Sequence, residues 1–175
     1  MPREPLEIAL ASRRATVRLG AVLGAALEPG DVVWLDGELG AGKTFLARAI
    51  ARALGVAAAE PVTSPTFALV HELRGRVLVV HADLYRLGDE SELGELGLSE
   101  HTGGDAVTIV EWGSRFADAL GGQGVIIQLE TRADGTRRAL VEARGARGEA
   151  IVDAIGAART AIERATRRPR ARSPR

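Results

Sequence analysis

The sequence predicts an α/β fold in which a mixed central β-sheet is flanked by helices. Three observations favour this class. An apolar run at residues 32–35, a glycine-rich segment and an amphipathic helical pattern follow one another directly. Further apolar segments alternate between strand-like and helix-like periods along the chain. The length of 175 residues, with 46% hydrophobic and 26% charged residues, suits one globular domain with its own core.

The first third of the chain predicts two helices around one strand. Apolar residues recur at helical spacing after Ser12, a residue that suits an N-cap, and this pattern stops at Pro29 and Gly30. The segment Val-Val-Trp-Leu at residues 32–35 is short, apolar and rich in residues that favour strands, which indicates a buried strand. A second apolar face predicts a helix over 45–54, with Gly55 as the glycine that ends it.

The middle of the chain predicts a hairpin, a short helix and a buried strand. Residues 66–73 and 77–81 are strand-like and are joined by the turn at 74–76. A short helix is expected over 89–98. The strongly apolar run 106–110 predicts another strand.

The last part of the chain predicts a loop, an antiparallel pair and a helix. The loop is expected at 121–124, and the strands at 125–131 and 137–143. An apolar stripe predicts a helix over 149–164. We expect one domain over 1–163. Residues 164–175, with six arginines and no acid, predict a basic, disordered tail.

Residues 37–44, G-E-L-G-A-G-K-T, match the phosphate-binding pattern G-x-x-x-x-G-K-[ST] between a predicted strand and a predicted helix. Glycines let successive backbone N–H groups turn towards phosphate oxygens, and the helix start adds its positive dipole end. Lys43 is the single lysine among 23 basic residues. The pattern predicts a P-loop NTPase fold in which Lys43 contacts the β- and γ-phosphates and Thr44 binds Mg²⁺. The residues expected to bind ATP are Glu38, Leu39, Gly40, Ala41, Gly42, Lys43, Thr44 and Phe45.

Composition narrows the nucleotide and the class of protein. Base recognition of guanine by an N-K-x-D motif needs a second lysine, so ATP is favoured over GTP. The chain has no cysteine, which excludes disulfides and thiol nucleophiles. No apolar run approaches the roughly 18 residues of a membrane span, and the first residues lack the pattern of a signal peptide. Without the tail, the chain has 17 basic and 23 acidic residues. This net negative charge is unfavourable for direct nucleic-acid binding.

Two acidic residues follow predicted strands and are candidates for the carboxylates of the nucleotide site. Glu111 follows the run 106–110, and Asp83 follows the strand 77–81. The carboxyl ends of strands in open α/β sheets are where ligands bind. We favour Glu111 as the Mg²⁺-side acid and expect Asp83 to orient the attacking water or to reach the metal through water. Trp112 either packs in the core or lies against the nucleotide.

Several short motifs in order are similar to those of the TsaE family, bacterial ATPases also called YjeE. They are G-E-L-G-A-G-K-T at 37–44, S-P-T-F at 64–67, H-A-D-L-Y-R at 81–86, E-L at 92–93, L-G-L at 96–98 and E-W at 111–112. The resemblance covers about residues 16–143. Departures from the family pattern are modest: Glu38, Ala82 and Gly113 stand where other residues are commoner, and none removes a group that the site needs.

The resemblance implies an ATPase of tRNA modification, which supports the formation of threonylcarbamoyladenosine together with the TsaD and TsaB proteins. It implies Lys43, Asp83 and Glu111 as catalytic residues and Thr44 and Glu111 as magnesium residues. It places Trp112 near ATP and makes Ser64, Pro65 and Thr66 a switch-like loop. Weak hydrolysis alone, contact with tRNA only through the complex, a cytoplasmic location and no membrane association are also implied.

Two other functions fit the same sequence. A small-molecule or nucleoside kinase is possible on this fold, although it would need an acceptor pocket and mobile arginines over the phosphates. A nucleotide-gated binding protein would share the site, but its hydrolysis would be incidental. His71 and His81 lack metal-ligand spacing, so we expect structural or surface roles for them.

Overall fold

The computed structural model describes residues 3–64, 70–102 and 104–165. Its centre is a mixed sheet whose described strands are β1 (Leu6–Leu10), β2 (Asp31–Gly37), β3 (Val70–Arg74), β4 (Leu78–Asp83), β5 (Ala106–Glu111), β6 (Gln123–Thr131) and β7 (Arg137–Arg144). The order across the sheet is β1-β7-β6-β2-β5-β4-β3. Strands β6, β2, β5 and β4 are parallel to one another, and the outer strands pair antiparallel. The predicted α/β fold with a mixed sheet is confirmed.

Helices cover both faces of the sheet. On one face, α1 (Arg13–Ala26), α2 (Lys43–Ala53) and α5 (Gly145–Glu163) pack in a single apolar cluster with the strands. The other face holds a 3₁₀ helix (Glu90–Leu96), α3 (Leu98–His101), a 3₁₀ turn (Ser114–Phe116) and α4 (Ala117–Leu120).

The residues of β2 alternate between these two faces. Val33 and Leu35 belong to the first cluster, whereas Val32 and Trp34 belong to the second. A strand covered on both sides is apolar throughout, which explains the continuous run in the sequence.

Most predicted elements are present. The Ser12 side chain caps α1 by accepting a hydrogen bond from the N–H of Ala15 at 3.1 Å. Gly55 follows α2 with φ 93°, the left-handed conformation expected of a terminating glycine. Strands β3 and β4 form the predicted hairpin, and β6 and β7 form the predicted antiparallel pair.

Some boundaries differ from the prediction, for local reasons. Strand β1 was not predicted, since five residues at a sheet edge give little pattern and pairing with β7 defines them. The helix expected at 89–98 is a 3₁₀ helix with a capping box at Asp89, interrupted by Gly97 at φ 62°. Strand β6 begins at Gln123, inside the expected loop, because its start pairs with β2.

The helix expected at 149–164 begins earlier, at Gly145, and ends at Glu163. The predicted strand residues 66–69 and the tail residues 166–175 lie outside the described residues. Within the described part of the chain, no helix has both the length and the apolar character needed to cross a bilayer.

Candidate nucleotide site

The glycine-rich loop connects the end of β2 to the start of α2. Gly42 is the N-cap of α2 with φ 108°, a conformation that a residue with a Cβ rarely adopts. Gly37 has φ 138°, and a Cβ there would lie 2.3 Å from the carbonyl oxygen of Leu129. In the first hydrogen bond of α2, the N–H of Leu46 donates to the carbonyl oxygen of Gly42 at 2.9 Å. The N–H groups at the start of the helix are therefore available to an anion.

Lys43 lies in this loop and is only 5% exposed. Its Nζ donates to the carbonyl oxygens of Gly37 at 2.7 Å and Glu38 at 2.9 Å. Nζ also lies 3.8 Å from the centre of the Trp112 ring. Burial lowers the pKa of Lys43, although the nearby carboxylates of Glu111, Asp83 and Asp36 act in the opposite direction.

The two predicted carboxylates are neighbours but have different partners. Strands β4 and β5 are adjacent and parallel, with Asp83 opposite Glu111 in register. Glu111 is 2% exposed, and its Oε2 accepts a hydrogen bond from Thr44 Oγ1 at 2.9 Å. Asp83 accepts hydrogen bonds from the Ser64 hydroxyl and from the backbone N–H of Tyr85. Glu111 is thus the acid that contacts the phosphate loop.

The sequence analysis did not predict that His81 lies next to Glu111. Its Nε2 lies 2.9 Å from Glu111 Oε1, and both side chains are almost fully buried. A surface role for His81 is therefore wrong. The signal in the sequence is its position in β4, two residues before Asp83, which puts both side chains on the same face of the strand.

Trp112 lies at the site and not in the core. Its backbone has φ 58°, the only positive φ among the described residues other than glycine. Its ring lies over Lys43 and against Tyr85, with the two aromatic ring centres 5.1 Å apart. The other tryptophan, Trp34, is fully buried in the sheet.

Several of these residues line an open cavity of about 270 Å³, here named the phosphate cavity. It is lined by Leu39, Gly40, Gly42, Lys43, Thr44, Phe45, Ser64, Asp83, Glu111 and Trp112. Of the other predicted residues, Glu38 contributes its carbonyl to Lys43, and Ala41 lines a neighbouring cavity. Pro65 and Thr66 fall outside the described residues.

A second cavity of about 310 Å³, here named the α1 cavity, lies across the same loop. It is lined by Leu10, Arg13, Thr16, Gly40, Ala41, Gly42, Phe45, Leu129 and Arg137. The Arg13 guanidinium lies 4.7 Å from the centre of the Phe45 ring. Buried Nε of Arg137 has no hydrogen-bond partner among the described residues. No local motif marks Arg13, Thr16 or Arg137, so sequence reasoning missed them.

The donor set suits a hard divalent cation. The Thr44 hydroxyl and the Glu111 carboxylate are oxygen ligands, the type that Mg²⁺ prefers, and 2.9 Å separates their nearer oxygens. Asp83 and Ser64 add further oxygen groups in the same cavity.

Comparison with known proteins identifies relatives over most of the chain. The family model described as "Threonylcarbamoyl adenosine biosynthesis protein TsaE" matches residues 10–139. The tRNA threonylcarbamoyladenosine biosynthesis protein TsaE of Treponema pallidum is 41% identical over 130 residues, which are 74% of this chain and 95% of that protein. The protein of the same name from Bacillus subtilis is 36% identical over 141 residues, 80% of this chain and 87% of that protein.

A solved structure gives the same result for the fold. The crystal structure of Bacillus subtilis YdiB has a TM-score of 0.73 at 28% identity, covering 90% of this chain and 97% of that one. The motifs quoted from the sequence, the sheet with its phosphate loop and these relatives all agree. The chain therefore belongs to the TsaE family of threonylcarbamoyl adenosine biosynthesis proteins.

Proposed function

We propose that this chain binds and hydrolyses Mg²⁺-ATP in the phosphate cavity, and that it does so in the threonylcarbamoyladenosine modification of tRNA. The pathway follows from membership of the TsaE family. The observation that supports the chemistry best is the hydrogen bond between Thr44 and Glu111 beside Lys43. It joins a phosphate-loop hydroxyl to a strand-end carboxylate, the combination that P-loop NTPases use around magnesium.

Binding of the phosphates would exchange the internal partners of Lys43. Its ammonium would leave the carbonyls of Gly37 and Glu38 for the β- and γ-phosphate oxygens, and the N–H groups at the start of α2 would donate to the same phosphates. The α1 cavity would hold the nucleoside. There Phe45 offers an apolar ring, and Arg137 offers a buried donor without a partner in the described part of the chain.

Thr44 and Glu111 are the residues that would hold the metal, Thr44 directly and Glu111 directly or through water. Mg²⁺, when bound, supplies positive charge that offsets the negative charge of the phosphates.

For hydrolysis, we assign the orientation of the attacking water to Asp83. Its carboxylate lines the phosphate cavity beside Glu111, and the hydroxyl of Ser64 donates to it. Lys43 and the loop N–H groups would stabilise the charge that builds up on the transferred phosphoryl group as water attacks in line. The products are ADP and inorganic phosphate.

We propose TsaD and TsaB as the protein partners and expect slow turnover without them. Ser64 belongs to the predicted switch-like loop and contacts Asp83, so a partner that moves this loop would change the surroundings of the water. Contact with tRNA would then be indirect, through the assembly. This role would place the protein in the cytoplasm.

The direct test is phosphate release from Mg²⁺-ATP by the purified chain, alone and with TsaD and TsaB. We expect clear stimulation by the pair and no release by Lys43→Ala, because that change removes the ammonium that contacts the phosphates. Unchanged ATP affinity of Lys43→Ala would contradict the assignment of the site. Phosphate transfer to an added metabolite, with no free phosphate, would instead identify a kinase.

A further inference from the structure

The hydrogen bonds of Glu111 come from two different parts of the fold. Thr44 at the start of α2 donates to Oε2, and His81 on β4 lies against Oε1 at 2.9 Å. Glu111 can hold a cation only as a carboxylate, which accepts hydrogen bonds, so in that form Nε2 of His81 is the donor to Oε1. Each carboxylate oxygen thus has one donor, and the rotation of the group is defined.

The environment of His81 also selects its tautomer. The side chain is 1% exposed, and Nδ1 is buried without a hydrogen-bond partner in the described part of the chain. A buried N–H without an acceptor costs about 1–3 kcal/mol, so the tautomer with its hydrogen on Nδ1 is disfavoured. The tautomer with its hydrogen on Nε2 satisfies the Glu111 contact and leaves no unpaired N–H at Nδ1.

We propose that His81 is a positioning residue for magnesium-dependent ATP binding. The inference depends on the proposed function and extends it. His81 fixes Glu111 Oε1, so that Oε2 faces Thr44 and the two side chains that would hold the metal stay in place. Residues that orient metal ligands change metal affinity by about 10–100-fold when they are replaced.

The test compares two substitutions at this position with a matched control. His81→Leu removes the donor and keeps an apolar side chain, whereas His81→Gln provides an N–H donor near the place of Nε2. His71→Leu is the control, because His71 is the register partner of His81 on β3 and only partly buried. ATP affinity is measured by calorimetry in excess Mg²⁺ and again in EDTA, for variants whose thermal unfolding confirms that they are folded.

We expect His81→Leu to weaken ATP binding in Mg²⁺ by about tenfold or more, in line with other residues that orient metal ligands, and to leave binding in EDTA unchanged. His81→Gln should keep most of the Mg²⁺ effect, and His71→Leu should behave as the wild type. A wild-type Mg²⁺ effect in His81→Leu would overturn the proposal, and so would equal losses in His81→Leu and His81→Gln. Failure of the wild-type chain to bind ATP would instead contradict the proposed function.

A measurement on the unmodified chain tests the hydrogen bond itself, even where the variants do not fold. The chain has three histidines, so the ring nitrogens can be resolved by ¹⁵N NMR. We expect the spectrum to show a hydrogen on Nε2 of His81, where it donates to Glu111. A bare Nε2 would remove the hydrogen bond to Glu111 and overturn the proposal.

Discussion

At the residue scale, Glu111 is the side chain on which the proposed chemistry depends most. It needs two acceptor oxygens, because a hydroxyl donates to one and an imidazole to the other. A glutamine has the same shape but only one acceptor oxygen. Its NH₂ group would face either His81, donor against donor, or Thr44, whose hydroxyl would then accept instead of donating.

Glu111→Gln should therefore separate binding from hydrolysis. We expect partner-stimulated phosphate release to fall by about 100-fold or more, a loss typical of a positioned catalytic group. ATP binding in EDTA should remain, since Lys43 and the loop N–H groups are unchanged. The readouts are phosphate release and calorimetric affinity on the same preparation. Full hydrolysis by Glu111→Gln would exclude Glu111 from the reaction.

Lys43 gives a pH dependence whose sign follows from its surroundings. Burial lowers its pKa from the ordinary value of 10.5 in the nucleotide-free chain, and bound phosphates would favour the charged form and raise it. At pH values between the pKa of Lys43 in the free chain and its pKa in the ATP complex, binding takes up a proton. ATP affinity therefore falls as the pH rises. The fall begins below pH 10.5.

Calorimetry of ATP binding in EDTA over an alkaline pH series measures this effect. We expect a decline of at most about tenfold per pH unit, the limit for one proton. Heats in two buffers with different ionisation enthalpies should report proton uptake. An affinity that stays constant up to the ordinary lysine pKa would contradict the role of Lys43 in binding.

At the element scale, close packing of α1 against α2 supports the helix whose first residues line the phosphate cavity. Gly20 and Gly24 on α1 face Ala49 and Ala53 on α2. A Cβ at Gly24 would lie 2.4 Å from the Cβ of Ala53 and 3.1 Å from its carbonyl carbon. The two backbones are so close that only glycine fits on α1.

This packing predicts opposite effects for one substitution at two helix glycines. Gly24→Ala gains about 1 kcal/mol of helix propensity, but overpacking against backbone costs about 1–3 kcal/mol, so the free energy of unfolding should fall. At Gly156 in α5 a Cβ would meet only a Leu6 methyl group at 3.8 Å, an ordinary contact. Gly156→Ala should stabilise by about 0.5–1 kcal/mol. Urea unfolding measures both, and a more stable Gly24→Ala would show that the helices separate easily.

At the scale of the whole molecule, α5 is part of the main core, although it lies beyond the family match at residues 10–139. Its buried residues Ile151, Val152, Ile155 and Ile162 join the cluster of α1 and the strands. Arg147 at its start pairs with Asp31 of β2, whose side chain is only 3% exposed. The helix thus closes one face of the sheet.

Removal of residues 145–175 should therefore abolish folding. Burial of four aliphatic side chains contributes about 1.5–3 kcal/mol each, and their sum is comparable to the roughly 5–15 kcal/mol that stabilises a whole domain. Thermal unfolding by circular dichroism checks this. The control is a chain that lacks only 166–175, which should unfold at the wild-type temperature. A cooperative, wild-type transition in the shorter chain would show that the core does not need α5.

The sequence by itself determined the parts of this protein whose chemistry is local. The strand, the glycine loop and the helix are contiguous, so their periods and the pattern around Lys43 were sufficient to predict them. Glu111 and Asp83 could be predicted as candidates because each comes at the end of an apolar strand. The same local motifs were sufficient to recognise the TsaE family.

Only the tertiary structure decided how these parts meet. The neighbours of β2 are β5 and β6, whereas β4 lies one strand further away, and neighbouring strands are about 4.8 Å apart. The acid on β5, Glu111, therefore reaches Thr44, and Asp83 on β4 contacts Ser64 instead. The contact of His81 with Glu111 and the meeting of Arg13, Phe45 and Arg137 around the α1 cavity have the same origin. These contacts join residues that are far apart in the chain, and the order of the strands determines them. Strand order depends on the packing of the whole sheet and not on any one segment.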